Sequence, residues 1–209
     1  MQFHSFDDLP RDSLLQVPRQ ARSATRVHAI LDGAIRVLVE LGTDGFNTNQ
    51  VAAASAVSVG SVYQYFSNKQ SILSGVLERG VLHSEALMWG VFEQGVDQPL
   101  RETIAAGLHG LVDLLLPHRE LIEALLNGAP MLGRGSSLAP IERVLLDLAH
   151  AWIERHGGQP PETGATLYVG VSGGLFVFLK WLVEQPPEMP RRDFVPALTE
   201  HAAAAIERA

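Results

Sequence analysis

The stretch that most constrains the fold runs from Asn47 to Lys69 and reads NTNQVAAASAVSVGSVYQYFSNK. It predicts a short helix, a tight turn and a second short helix. We expect Thr48 to cap the first helix and Ser58 to cap the second, because their side-chain oxygens can accept from backbone N–H groups. Val62 and Phe66 are four residues apart and therefore face inward together. The second helix is short and polar outside, which suits insertion into a DNA major groove.

Composition and charge limit the class of protein. The chain has 209 residues, of which 46% are hydrophobic and 19% charged, an ordinary globular balance. It has no cysteine, which excludes disulfides, thiolate metal sites and cysteine nucleophiles. The net charge is −7, yet residues 19–69 hold five basic and three acidic side chains. Because a phosphate-binding surface needs local positive charge, DNA binding is compatible with an acidic chain.

The chain is expected to be all-α, with about nine helices in total. It is expected to consist of an N-terminal arm followed by two domains. Residues 1–18 lack sustained periodicity and are read as an N-terminal arm. Residues 19–68 are predicted to form a three-helix DNA-binding domain, and residues 69–209 a larger C-terminal helical domain. The first long helix should end at Gly42, with Phe46 packed beneath the two short helices. Its predicted inward positions are Val27, Ile30, Leu31, Ala34, Ile35, Leu38 and Val39.

A set of coincident residues makes the assignment more specific. It comprises Glu40-Leu41-Gly42, Gly45 to Thr48, Val51-Ala52, Ala56 to Phe66, Asn68-Lys69 and Ile72-Leu73. This pattern covers about 50 residues and resembles the TetR family of bacterial transcriptional repressors. The resemblance implies a homodimer that binds a palindromic double-stranded DNA operator.

Two positions depart from the family pattern. Ala56 stands where glycine is common, and a left-handed backbone there would cost about 1 kcal/mol. Val59 stands where lysine or another polar residue is common. One phosphate or base contact is therefore either missing or replaced by an apolar contact to a thymine methyl group.

The resemblance implies DNA-contacting roles for particular residues. Tyr63 and Tyr65 are expected to face phosphates, although the Tyr63 ring also suits the edge of the core. Lys69 and the helix N-terminal amides are expected to hold a phosphate together. Arg22 and Arg26 either reach the DNA backbone or form a solvated face. The other expected contacts are Thr48, Asn49, Val59, Gly60, Ser61 and Gln64, with Ser61 and Gln64 as the candidates for reading base edges.

The C-terminal region is expected to supply a dimer interface. The helix from Tyr168 to Leu182 is hydrophobic nearly all round, which predicts burial on most sides. The family pairs its last two helices with their copies, and a monomeric core is the alternative. The expected interface residues are Gly170, Gly173, Gly174, Trp181, Phe194, Leu198, Ala202 and Ile206.

The resemblance also implies a small-molecule effector that binds the C-terminal helices and releases DNA. The sequence restricts it to an apolar or amphipathic molecule. The candidate pocket residues are Trp89, Phe92, His109, Met131, Trp152, Tyr168 and Phe176, with core packing as the alternative for each.

Other classes of protein are disfavoured. No GxSxG, P-loop or HExxH pattern occurs and the histidines are scattered, so no enzyme, metal site or cofactor is expected. The N-terminus has no signal-peptide pattern, and the apolar run Leu167–Val183 is interrupted by polar residues and glycines. We expect a cytoplasmic protein without a membrane partner. The alternatives are a DNA-binding activator or architectural protein without an effector, and a helical interaction module that has lost DNA binding.

Overall fold

The computed structural model describes residues 9–128, 139–158 and 164–208. These residues form nine α-helices, a 3-10 turn at Leu116–His118 and no strand, so the predicted all-α fold is confirmed. The helices are α1 Ala21–Gly45, α2 Thr48–Ala54, α3 Val59–Tyr65, α4 Lys69–Gly95, α5 Leu100–Leu115, α6 Arg119–Gly128, α7 Ala139–Arg155, α8 Ala165–Glu184 and α9 Arg191–Glu207.

The chain packs as two compact units. Of the described residues, the first unit comprises 9–83 and 120–128, and the second comprises 84–119, 139–158 and 164–208. These units differ from the predicted domains, because the first half of α4 and nearly all of α6 pack with α1, α2 and α3. A three-helix domain alone has little apolar surface to bury, and the added helices enlarge its core.

α1 carries the inner face of the first unit. Its helical backbone is interrupted at Gly42, whose φ of +64° lies in the region that favours glycine, as the predicted helix end required. Val39 is 51% exposed, whereas Val37 is buried at 3%, so the prediction that Val39 faces inward is wrong. Val37 follows Ala34 by three residues and therefore continues the buried stripe.

Two further features explain how α2 and α6 pack within the first unit. Gly33 of α1 lies where a Cβ would come within 2.0 Å of the Ser55 hydroxyl oxygen, so only glycine allows this approach. Leu121 and Leu125 of α6 are buried in the same apolar cluster as Phe46 and Phe66. Phe46 thus packs beneath the short helices, as predicted.

The second unit is organised around close packing of α8 on α9. A Cβ on Gly170 would lie 2.3 Å from the Cβ of Ala205, so this glycine permits contact within the subunit. The Trp181 ring stacks on Phe194 with centroids 4.3 Å apart. The Nε1 of Trp181 also donates to the Met189 carbonyl oxygen at 2.7 Å. These side chains therefore stabilise the fold of a single chain.

Ion pairs fasten α5 to α9 on the surface of the second unit. Arg101 bridges Glu200 and Glu207, and its hydrogen bond holds the pKa of the Glu207 carboxyl below its ordinary value. In the same way, a hydrogen bond from Arg191 lowers the pKa of Asp113. Because these groups are solvent-exposed, each pair contributes little to stability.

α8 leaves one apolar face uncovered, so the prediction that it is buried on most sides is wrong. The exposed fractions are 55% for Tyr168, 67% for Val169, 56% for Phe176 and 48% for Val177. Gly173 lies on the same face, and a Cβ there would meet no atom within 4 Å. Among the described helices, α8 is the one that has the length and apolar composition of a membrane span, with mean hydropathy 1.6.

Candidate nucleic-acid interface

α2 is capped by Asn47 rather than by Thr48. The Asn47 side-chain oxygen accepts from the Gln50 N–H at 3.0 Å, and its extended backbone has the conformation of an N-cap. The prediction of a Thr48 cap is therefore wrong, because asparagine one residue earlier serves equally well. Thr48 is the first residue of α2, and its Oγ1 lies 3.4 Å from the Tyr63 hydroxyl.

The turn between α2 and α3 places Ala56 in a left-handed conformation. The Ala56 N–H donates to the Ala53 carbonyl at 3.2 Å, and the Val57 N–H donates to the Ala52 carbonyl at 3.1 Å. This pair of bonds defines a Schellman motif, which ends a helix on a left-handed residue that is usually glycine. Ala56 has a φ of +54°, so the departure from the family pattern falls on a strained position.

α3 presents a polar face and buries an apolar one. Ser58 caps it as predicted, since its side-chain oxygen accepts from the Ser61 N–H at 3.1 Å. The Ser61 hydroxyl lies 2.9 Å from that of Ser58, so it is engaged within the cap. Val62 and Phe66 are fully buried, as predicted, whereas Tyr63 is 49% exposed.

The other predicted DNA contacts on these two helices differ in exposure. Asn49, Gly60 and Gln64 are exposed, while Thr48 and Val59 are half-buried. Val59 also packs against the apolar cluster of the first unit. Gln64 is thus the candidate base-reading side chain with the greatest freedom to reach a groove.

Tyr65 does not face outward. Only 1% of its surface is exposed, so the prediction that it meets a phosphate is wrong. It follows Val62 by three residues and shares that inward face. α3 ends at Tyr65, and the backbone N–H of Leu15 donates to its carbonyl oxygen at 2.8 Å. The arm that binds this carbonyl oxygen comes from 50 residues away, and a pattern within α3 cannot reveal that backbone contact.

α4 begins at Lys69, as predicted, beside the end of α3. The Asn68 side-chain oxygen accepts from the Ser71 N–H at 2.9 Å, and the Ser71 hydroxyl accepts from the Asn68 N–H at 3.2 Å. This reciprocal capping was missed; Asn68 is a preferred N-cap residue, but Ser71 stands where a capping box usually has glutamate or glutamine. Lys69 is exposed at this helix N-terminus, where backbone amides and a cation together suit a phosphate.

The two arginines that were predicted to reach the DNA backbone lie on α1, outside the two short helices. Arg22 is exposed and Arg26 half-buried, both on α1. Within the described residues, no hydrogen bond or ion pair joins either of them to α2 or α3. Arg36, which the sequence did not single out, donates to the Ala54 carbonyl at the end of α2. A cation there stabilises the negative end of the helix dipole.

The predicted effector residues fall into separate groups. Trp89, Phe92 and Trp152 form a chain of edge-to-face ring contacts, with centroid distances of 5.5 and 6.4 Å. His109 lies elsewhere, where its Nδ1 accepts from the Arg191 guanidinium at 3.2 Å. Tyr168 and Phe176 are on the exposed face of α8, and Met131 lies outside the described residues.

The predicted interface residues also divide. Trp181, Phe194 and Leu198 are buried within the subunit, like Gly170. Gly174, Ala202 and Ile206 are half-buried, and Gly173 is exposed. Across the described parts of the chain, no three histidine or acidic side chains cluster as metal ligands.

Comparison with known proteins agrees with this geometry. Residues 30–76 match the model for bacterial regulatory proteins of the tetR family. No curated protein matches the chain. The prediction that the chain resembles the TetR family is therefore confirmed for its DNA-binding segment.

Solved structures extend the likeness to the whole fold. A TetR-family transcriptional regulator from Streptomyces coelicolor has 18% identity and a TM-score of 0.62, covering 90% of this chain and 99% of that one. A putative TetR-family regulator from Mesorhizobium loti has 21% identity and a TM-score of 0.61, covering 90% and 96%. The repressor AlkX from Dietzia has 16% identity and a TM-score of 0.59, covering 87% and 96%.

The strained turn gives a first prediction. Ala56→Gly should raise the free energy of unfolding by about 1 kcal/mol, because glycine adopts the left-handed conformation without the Cβ clash. Urea denaturation followed by circular dichroism measures this change. Ala53→Gly is the matched control, since Ala53 is exposed within helical α2 and should lose about 1 kcal/mol. A destabilised Ala56→Gly variant would contradict the assignment of strain.

Proposed function

We propose that this protein, a DNA-binding regulator with the helix-turn-helix of the TetR family, is a repressor that binds a palindromic operator as a homodimer. A small apolar or amphipathic effector then releases it from DNA. The observation that carries the proposal is the juxtaposition of the Thr48 and Tyr63 hydroxyls, 3.4 Å apart, on exposed α2 and α3. A cytoplasmic location accords with this role.

The DNA-reading role follows from the chemistry of this surface. Tyr63 and Thr48 offer hydroxyl donors from two different helices, and Lys69 adds a cation at the start of α4. Such groups recognise phosphates and orient the protein without reading sequence. Gln64 is exposed in the last turn of α3, and its amide can pair with an adenine edge in the major groove.

Dimerisation accounts for the uncovered face of α8. Large apolar side chains on one helix face, such as Val169 and Phe176, favour removal from water. Gly173 is open to the outside of that face, so a second backbone could approach it closely. A two-fold pair of α8 helices would carry two copies of α3, which suits a palindrome with half-sites about 34 Å apart.

The effector site is assigned to the ring cluster of Trp89, Phe92 and Trp152. Trp89 and Phe92 are half-buried and belong to α4, the helix that begins at the DNA-contacting Lys69. Aromatic rings of this kind bind apolar molecules by shape and contact area. A ligand that shifts the end of α4 would therefore act on the helix that also carries a phosphate contact.

DNA binding is tested with fluorescently labelled DNA from the intergenic region upstream of the gene. Tyr63→Phe and Lys69→Ala should weaken binding about equally on every operator variant, because phosphate contacts carry no sequence information. Gln64→Ala should instead change which variants are preferred. Fluorescence anisotropy at several salt concentrations measures both effects, and affinity should fall steeply as salt rises.

The wild-type titration is the reference for these variants. Binding that is insensitive to salt, or absent from all upstream DNA, would reject the DNA-reading role. An equal loss on all operator variants for Gln64→Ala would reject base reading by that residue.

The dimer is tested by placing a charge on the exposed face of α8. Phe176→Glu should convert the protein from twice the mass of one chain to a single chain at micromolar concentration, because apposed carboxylates repel and are costly to bury. Multi-angle light scattering measures the mass. Ala106→Glu is the control, since Ala106 is exposed on α5, a different helix. A wild-type protein that is already monomeric would contradict the proposed dimer interface.

The effector is tested with a panel of medium-chain fatty acids and aromatic amphiphiles. A ligand that releases the labelled DNA should quench tryptophan emission, and Trp89→Leu should weaken that ligand about tenfold by removing one ring contact. Trp181→Phe is the control, because Trp181 stacks on Phe194 instead. Unchanged ligand affinity in Trp89→Leu would place the effector elsewhere, and no release by any compound would favour a regulator without an effector.

A further inference from the structure

The N-terminal arm, of which residues 9–18 are described, is held by one carboxylate. Glu78 of α4 accepts from the backbone N–H groups of Arg11 at 2.5 Å, Asp12 at 3.0 Å and Ser13 at 3.2 Å. The Ser13 hydroxyl donates to the same carboxylate at 3.0 Å. Three successive amides around one anion form a concave binding site, and hydrogen bonds to a charged acceptor are the stronger kind.

The other end of this arm holds α3. Two residues beyond Ser13, the Leu15 N–H donates to the Tyr65 carbonyl oxygen at 2.8 Å. Tyr65 is the last residue of α3, where carbonyl groups have no partner within the helix. The arm therefore satisfies a carbonyl at the C-terminal end of the recognition helix.

Packing fixes the arm against the same unit. Leu9 is buried, with 2% of its surface exposed, in the apolar cluster that also contains Tyr65 and Phe66. Gly75 lies one turn before Glu78 on α4, and a Cβ there would come within 3.1 Å of the Ser13 hydroxyl oxygen. The absence of a side chain at Gly75 thus allows the arm to lie close to α4.

The next residue of α4 ties that helix to α1. Arg79 is 4% exposed and its NH1 lies 2.9 Å from an Asp32 carboxylate oxygen. Glu78 and Arg79 are adjacent in α4, where Glu78 binds the arm and Arg79 binds α1. The anchor for the arm is therefore itself fixed within the first unit.

We propose that Glu78 is a positioning residue for DNA binding, acting through residues 11–15 on the C-terminal end of α3. This inference rests on the proposed DNA-reading role of α3. Glu78 need not touch DNA, and its negative charge would repel phosphates if it did. Removal of that charge should therefore weaken binding if Glu78 positions α3, and strengthen binding if the carboxylate lies near DNA.

The first test is Glu78→Gln in the full chain. The glutamine side chain has the size of the glutamate side chain but lacks its negative charge. Three backbone N–H groups and one hydroxyl donate to that charge in the wild type. We expect the dissociation constant for the upstream DNA to rise about tenfold, with the dependence on salt unchanged because no phosphate contact is lost. Glu93→Gln, an exposed carboxylate on the same helix, should leave the affinity unchanged.

A second variant separates positioning from direct contact. Deletion of residues 2–13 also removes the buried Leu9, so it should weaken binding more than Glu78→Gln does, and Glu78→Gln should have no further effect in the shortened chain. A flatter salt dependence after deletion, with full additivity of the two changes, would mean that the arm contacts phosphates itself. That result would overturn the proposal.

Amide hydrogen exchange measures the arm contacts without DNA. The amides of Arg11, Asp12, Ser13 and Leu15 should be protected in the wild type and exchange faster in Glu78→Gln. Retained protection would refute anchoring by Glu78, and lost protection with wild-type DNA affinity would refute the effect on α3. If the wild type binds no DNA, the DNA-reading role and the positioning role both fail, while the exchange pattern still decides the anchoring.

Discussion

A helix of seven residues is not stable on its own, and the DNA-reading surface consists of two such helices. Isolated helices shorter than about 12–15 residues are marginal in water, so α2 and α3 depend on the helices beneath them. α1 supplies the floor, and Gly33 lets the end of α2 lie directly against it. Exposed side chains on α3 can therefore serve recognition only because Val62, Tyr65 and Phe66 serve packing.

Each end of these short helices has a specific partner. Asn47, Ser58 and Asn68 satisfy amides at three successive helix starts, and Arg36 and Leu15 satisfy carbonyls at two ends. The ends make up a large share of so short a helix, so these hydrogen bonds add to the stability that the apolar core gives the reading surface. The positions of recognition side chains thus depend on residues that never approach DNA.

Local patterns predicted much of this surface, and long-range contacts account for what they missed. The Ser58 cap, the break at Gly42 and the inward pair Val62 and Phe66 all follow from spacing within one segment. Tyr65 lies three residues after Val62 on the buried face, but the arm that binds its carbonyl oxygen comes from 50 residues away, and no local period contains that contact. The apolar run of α8 predicted burial, yet periodicity cannot distinguish burial within a subunit from burial against a second copy.

If the uncovered face of α8 forms a dimer, both stability and DNA occupancy depend on the concentration of the protein. Anything that binds the folded protein adds to its stability by mass action, so a protein that dimerises through this face should melt at a temperature that rises with concentration. Below the dissociation constant of such a dimer, the amount of dimer falls with the square of the subunit concentration. Occupancy of a two-fold operator would then respond more than proportionally to small changes in how much of the chain a cell makes.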